Sequence, residues 1–256
     1  MGVLSVLFLS LATILAISLQ VSGLHIPHLI RQPIAGEEPS PGSSCSSWRL
    51  GVETNNIRDW KTVPKTCEGY VGDYMLGPQY REDSRIVTDE AFRYAESLQL
   101  AGDGKDVWIF DVDETTISNV DFVAQYGFGA EPFNGTASIE WVMKGEAPAL
   151  PESLKLYRRL LNLGIKVVFL VRRTEYERDA TERNLKLVGY HTWEKVLLRN
   201  SSDYNQTNVE FKSSKRRKLV ERGYRIIGNI GDQWSDLLGD YAGNRTFKLP
   251  NPIYYA

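Results

Sequence analysis

From residue 106 onward, short apolar runs alternate with segments of helical spacing, and this alternation leaves few folds open. "DVWIFDV" reads as a buried strand, "ESLKLYRRLLNLG" as a helix ending at Gly164, and "IKVVFLV" as a second strand. "TEYERDATERNLKLVG" then gives a helix, "KVLLR" a shorter strand, "SSKRRKLVERG" a helix stopped by Gly223, and "YRIIGNIGD" a further strand. Strands separated by helices must run parallel, with helices covering the faces of one sheet. The expected fold class is therefore α/β, a Rossmann-like parallel sheet with helices on both faces. Upstream, "TDEAFRYAESLQL" places Ala91, Phe92, Ala95 and Leu98 at helical spacing after Thr88, which reads as an N-cap.

Two of the strands run straight into acids. Ligands of open α/β sheets bind beyond the carboxyl ends of the strands, so Asp111, Asp113 and Asp232 are expected to gather there. Two aspartates one residue apart in extended chain face the same side. Their mutual repulsion would be relieved by a hard divalent ion such as Mg2+, which takes oxygen ligands and keeps water for a phosphate. "GDQWSD" adds Asp236 as part of a second acidic cluster, and Lys212, placed before the following helix, could neutralise a phosphoryl group. Taken singly, an Asp-x-Asp is as readily a strand exit or helix cap, and Lys212 a surface charge.

Absences narrow the chemistry. The three histidines, His25, His28 and His191, do not form a nucleophile motif or a two-metal centre. Neither cysteine has an arginine six positions later, and there is no Gly-Lys-Ser/Thr phosphate loop and no Gly-x-Ser-x-Gly elbow. The 30 basic and 32 acidic side chains, a formal charge of -2, create no field to recruit nucleic acid. The run "KSSKRRK" at 212–218 reads as a solvated helix face.

The uncharged stretch "VLSVLFLSLATILAISL", followed by Ser22 and Gly23, reads as a signal peptide over 1–23, so no stable membrane anchor is expected; a spanning anchor is the alternative. Residues 24–44, rich in Pro, Gly, Ser and Glu, read as a flexible leading segment, with order expected from Cys45. Cys45 and Cys67 suggest one disulfide, against two free buried thiols. Four glycosylation sequons begin at Asn134, Asn200, Asn205 and Asn244. Residues 119–150 carry aromatics and a helix around Ile139–Met143, and are expected to form a small cap insertion. Its aromatics at 122, 126, 128, 133 and 141 are assigned first to packing rather than to a pocket.

The segments "DVWIFDVDET", "KSSKRRKLVERGYRIIGNIGDQWSDLLG", "NRTFKLPNPIYY" and "CSSWRLGVETNNIRDWKTVPKTCEGYV" resemble the plant acid phosphatases related to vegetative storage proteins, class B-like members of the haloacid dehalogenase-like superfamily. The resemblance covers 45–256. It implies that Asp111 is the nucleophile forming an aspartyl-phosphate and Asp113 the general acid and later base. It implies Mg2+ on Asp111, the backbone carbonyl of Asp113 and Asp232, with Asp236 supporting through water or by holding the direct ligands. Lys212 would stabilise the phosphoryl group and the nucleophile, and Arg173, which matches the family's second motif, would bind substrate; Arg172, which does not match, could crowd the phosphate site or partly compensate by binding substrate.

The second motif departs from the family pattern of Ser/Thr-Gly-Arg: here it reads Val171-Arg172-Arg173. Loss of one hydroxyl donor of this kind costs on the order of 2.7–4 kcal/mol in transition-state stabilisation. Thr116, usually apolar in the family, is expected to matter little. The implied protein is a secreted or vacuolar acid phosphatase acting on a small phosphomonoester, with a homodimer admitted. A storage glycoprotein without catalysis, or a phosphate- or metal-dependent binding module, are the competing readings.

Overall fold

The structure, a computed structural model, describes residues 41–256. The expected leader and most of the 24–44 segment lie outside the described residues. No helix among them is long and apolar enough to cross a membrane.

The described chain opens with α1 (Pro41–Glu53), α2 (Glu68–Leu76) and α3 (Pro78–Glu96). There follow β1 (Asp106–Phe110), α4 (Val120–Ala124), α5 (Gly135–Lys144), α6 (Pro151–Asn162), β2 (Lys166–Thr174) and α7 (Arg178–Leu187). The last part holds β3 (Lys195–Arg199), α8 (Asn208–Glu221), β4 (Arg225–Gly231), the short α9 (Trp234–Leu237) and β5 (Thr246–Lys248). The five strands form one parallel sheet in the order β3-β2-β1-β4-β5.

β1 lies in the middle of the sheet with all five residues buried, which is why it reads as a continuous apolar run rather than an alternating one. Its side chains serve two cores. Trp108 and Phe110 pack with Phe92, Leu156, Leu160 and Phe169 on the face covered by α3 and α6, while Val107 and Ile109 meet Val168, Leu170, Phe211 and Leu219 beneath α8. Full burial of each such aliphatic or aromatic side chain contributes about 1.5–3 kcal/mol. Trp108 stacks on Phe247 of β5 at 5.4 Å between ring centroids, and it occupies the space beside Gly228 where a Cβ would come within 2.4 Å of its ring. The β1–β4 register shifts at this same point.

A third cluster, with Cys45, Cys67, Val71, Tyr74, Val120 and Ile253, packs the first helices beside the C-terminal loop. The Cys45–Cys67 disulfide is formed within it.

Several expected boundaries shift. Helical structure is already present at Pro41, ahead of Cys45. Thr88 is not an N-cap: α3 starts ten residues earlier at Pro78, and buried Thr88 donates its hydroxyl to the Ser84 carbonyl at 3.0 Å. α8 begins at Asn208, capped by a reciprocal Thr207–Glu210 pair, so Lys212 lies on the helix rather than before it. Nor is 212–218 a solvated face. Lys212, Ser213, Lys215 and Arg216 are buried, because each charge meets a partner: Lys215 pairs with Asp203 at 2.7 Å, and Arg216 donates to the carbonyls of Asp236, Leu238 and Asp240. β5, only three residues long, was too short for a periodicity signal.

Candidate active site

The carboxyl ends of β1 and β4 bring the acids together. Asp111 directly follows β1, Asp232 directly follows β4, and Asp236 reaches in from α9. One carboxylate oxygen from each of the three lies within 4.8 Å of the others, and all three residues are buried. The Asp111 N–H donates to the Ile230 carbonyl at 3.0 Å, fixing the two strand exits against each other. Gly231 is required here, because a Cβ on it would come within 2.4 Å of the Asp236 side chain.

Lys212, the fifth residue of α8, bridges Asp111, at 2.5 Å, and Asp236. Burial pushes its ammonium toward neutrality, but the two carboxylates outweigh that and hold it charged. Asp232 accepts from the Thr115 hydroxyl at 2.9 Å, the Gln233 amide at 2.8 Å and the Asn251 amide at 2.7 Å. Burial and then the neighbouring Asp236 push both Asp111 and Asp232 up from the ordinary carboxylate range. Three buried carboxylates facing one ammonium leave two negative charges uncompensated, an arrangement that costs several kcal/mol per ion without a counter-charge. The all-oxygen donor set and this charge deficit fit a hard divalent cation.

Asp111 Oδ1 is held by Lys212, while its Oδ2 has no hydrogen-bond partner among the described residues. The loop behind it is tightly bound. Thr116, expected to matter little, is fully buried: its hydroxyl donates to the Asp111 carbonyl at 2.5 Å, and its own carbonyl accepts from Leu150 and Tyr190. Glu114 is fully buried at a positive φ of 56°, accepting from the Asn119 N–H, and burial drives its carboxyl up to about 8.

Asp113 points elsewhere. Arg173 grips both its oxygens, at 3.1 and 2.5 Å, and Asn119 donates a third bond at 2.9 Å. Burial alone would raise this carboxyl, but the Arg173 charge and these hydrogen bonds prevail and hold it below its ordinary value. Asn119 is oriented in turn by the Trp141 indole N–H at 2.8 Å. The third arm of Arg173 donates to Thr181, so three of its five N–H groups are taken by protein partners, while the residue, expected on substrate, also lines the cavity. Arg172 is exposed to the cavity and has no hydrogen bond or ion pair among the described residues. The departure from the family motif coincides with an irregularity: Leu170 pairs with Leu197 and Thr174 with Arg199, so three residues of β2 oppose one of β3. Such bulges re-aim side chains beside active sites. Val171 turns into the apolar core with no exposure, and Arg172 into the cavity.

Asp111, Asp113 and Asp236 line a cavity of about 530 Å³, with Asp232 fully buried behind them. Phe122, Tyr126, Phe133 and Trp141 of the 119–150 segment form one wall, and Trp60 and Tyr254 another. These four aromatics, assigned from sequence to packing, line the cavity because α4 and α5 lie over the strand ends; Phe128 packs into the cluster around the disulfide. Thr115, Asn119, Gln233 and Asn251 were missed as supporting residues. Asn251 lies in the "NRTFKLPNPIYY" segment that carried the resemblance, Thr115 and Gln233 adjoin acids in sequence, and Asn119 follows Asp113 by six residues. The four sequon asparagines are all exposed.

A family model for the HAD superfamily, subfamily IIIB (Acid phosphatase), matches residues 32–256. Acid phosphatase 1 of Solanum lycopersicum is 47% identical over 232 residues, covering 89% of this chain and 91% of that protein. The stem 28 kDa glycoprotein of Glycine max is 48% identical, covering 84% of this chain and 85% of its own length. Vegetative storage protein 1 of Arabidopsis thaliana is 46% identical, covering 83% and 78%. Among solved structures, a class C acid phosphatase from Bacillus anthracis shares the fold at a TM-score of 0.61 and 22% identity, over 73% of this chain and 85% of that one.

Proposed function

Because the chain belongs to the subfamily IIIB acid phosphatases of the HAD superfamily, we propose that it hydrolyses small phosphomonoesters through a phosphoryl group carried on Asp111. The observation that carries this reading is the free Asp111 Oδ2 on the cavity floor, with Lys212 on its other oxygen and Asp113 two residues away. Asp111 attacks phosphorus as the bond to the ester oxygen breaks, and Asp113 gives that oxygen its proton. Asp113, now ionised, takes a proton from water, which attacks the phosphoryl-enzyme, releases phosphate and restores Asp111. Lys212 neutralises charge on the transferring group, the larger part of what phosphoryl transfer requires.

Asp111, Asp232, Asp236 and the Asp113 backbone carbonyl would hold Mg2+, which when bound supplies charge neutralisation and orientation. Arg172 contributes a free guanidinium for a phosphoryl oxygen where Val171 has removed the hydroxyl donor. The disulfide, the sequons and the named glycoprotein relatives support a secreted or vacuolar glycoprotein.

Val171 also favours a second reading, a storage protein that keeps the fold with little turnover. Hydrolysis of an aryl phosphate with Mg2+ separates the two. Turnover by the native protein that vanishes in Asp111→Asn is expected. Negligible native turnover, gained on combining Val171→Thr with Arg172→Gly, would place the storage reading ahead.

A further inference from the structure

Of the four sequon asparagines, Asn134 alone lines the catalytic cavity. It stands immediately before α5, where its Oδ1 accepts the Ala137 N–H at 3.1 Å and caps the helix. Its Nδ2, the atom that a glycan would modify, makes no hydrogen bond among the described residues, and the residue is exposed. Capping and glycosylation therefore use different atoms of one side chain. Next to it, Phe133 is 71% exposed, with its ring edge 3.7 Å from where a Cβ on Gly135 would stand, and Ile139 on the same helix is 45% exposed. Both line the cavity, so its rim carries uncovered apolar surface at the point where the sequon lies.

We propose that an N-glycan on Asn134 covers this apolar rim and narrows the cavity mouth, admitting small phosphomonoesters and excluding phosphorylated polypeptides. The sugar rings would lie against Phe133, since pyranose C–H faces pack well on aromatic rings. The helix that Asn134 caps carries Trp141, whose indole orients Asn119 and through it Asp113. The glycan stands at the rim and leaves these contacts in place, so small esters react as before. Asn200, Asn205 and Asn244 are exposed but border no part of the cavity, so glycans there leave substrate size unaffected. The inference rests on the proposed phosphatase reading for its substrate class.

The test uses Thr136→Ala, which destroys the sequon while keeping the Asn134 cap, beside Ser202→Ala, which destroys the Asn200 sequon as a control. Both are secreted from a glycosylating eukaryotic host, with occupancy read by glycopeptide mass spectrometry. Affinity is measured for phenylphosphonate and for a peptide bearing a phosphonate analogue of phosphotyrosine, and turnover for an aryl phosphate and a phosphoprotein. In Thr136→Ala the peptide affinity and phosphoprotein turnover should rise severalfold, with phenylphosphonate and aryl phosphate unchanged; Ser202→Ala should match the native protein. Trimming the native glycoprotein with an endoglycosidase should give the same rise without a substitution. An unoccupied Asn134, or equal peptide affinity with and without the glycan, overturns the proposal. Absent aryl phosphate turnover in every form would instead sink the phosphatase reading, while the binding ratio still decides the glycan.

Discussion

Asp111 and Asp113 are separated by one residue and face different fates. Asp111 shares Lys212 with Asp236 in a buried acidic cluster, whereas Asp113 is gripped by Arg173 and Asn119. This division suits a nucleophile and a proton carrier, whose environments must differ if their protonation is to differ. The sign for Asp113 follows from its partners: a carboxyl held low by a guanidinium is protonated only at acidic pH, so esters with poor leaving groups should react faster as the pH falls. Replacing Arg173 with Gln removes the lowering influence and leaves burial, which raises the carboxyl. The acid-favoured limb for an alkyl phosphate should then move toward neutral pH, while an activated aryl phosphate is less affected. A limb that stays in place would show that Arg173 does not set the proton affinity of Asp113.

At the scale of elements, the strands were legible because they are buried on both faces and read as apolar runs. The sequence order of β1 through β4 and the acids at their ends follow from that pattern. α8 was the least legible. Lys212, Lys215 and Arg216 look like a solvated face in sequence, since the partners that bury them, Asp203, Asp111 and the carbonyls of Asp236, Leu238 and Asp240, come from other segments of the chain. The route of Val171 and Arg172 was equally hidden, because it depends on a bulge between β2 and β3 that no spacing announces. Close packing inside the sheet gives its own test. Gly228 of β4 faces the Trp108 ring at a distance that excludes a Cβ, so Gly228→Ala must displace the indole. Such overpacking typically costs about 1–3 kcal/mol. Urea unfolding should show a lowered midpoint of that order, and an unchanged midpoint would mean that the sheet yields more easily than its contacts indicate.

Across the molecule, the first helices and the C-terminal loop cooperate in holding the site. Glu53 of α1 accepts from the Asn251 N–H at 2.8 Å and from Lys248 at 2.9 Å, and Asn251 donates to Asp232. The disulfide-bearing cluster thus reaches the acidic centre through a chain of hydrogen bonds. The 119–150 segment supplies the opposite wall and orients Asp113 through Asn119, so catalysis, cavity shape and the glycan rim meet in one short insertion. Family membership rests on a match over residues 32–256, but the claim that this chain turns over depends on Asp111 accepting a phosphoryl group despite Val171. The most direct measurement is rapid-quench peptide mass spectrometry of Asp113→Asn mixed with nitrophenyl phosphate and Mg2+, where loss of the base should slow breakdown of the intermediate. A phosphoryl group located on Asp111, absent from Asp111→Asn, is the predicted result. Release of nitrophenol by the native protein with no phosphorylated Asp111, or with the group on another residue, would contradict the account.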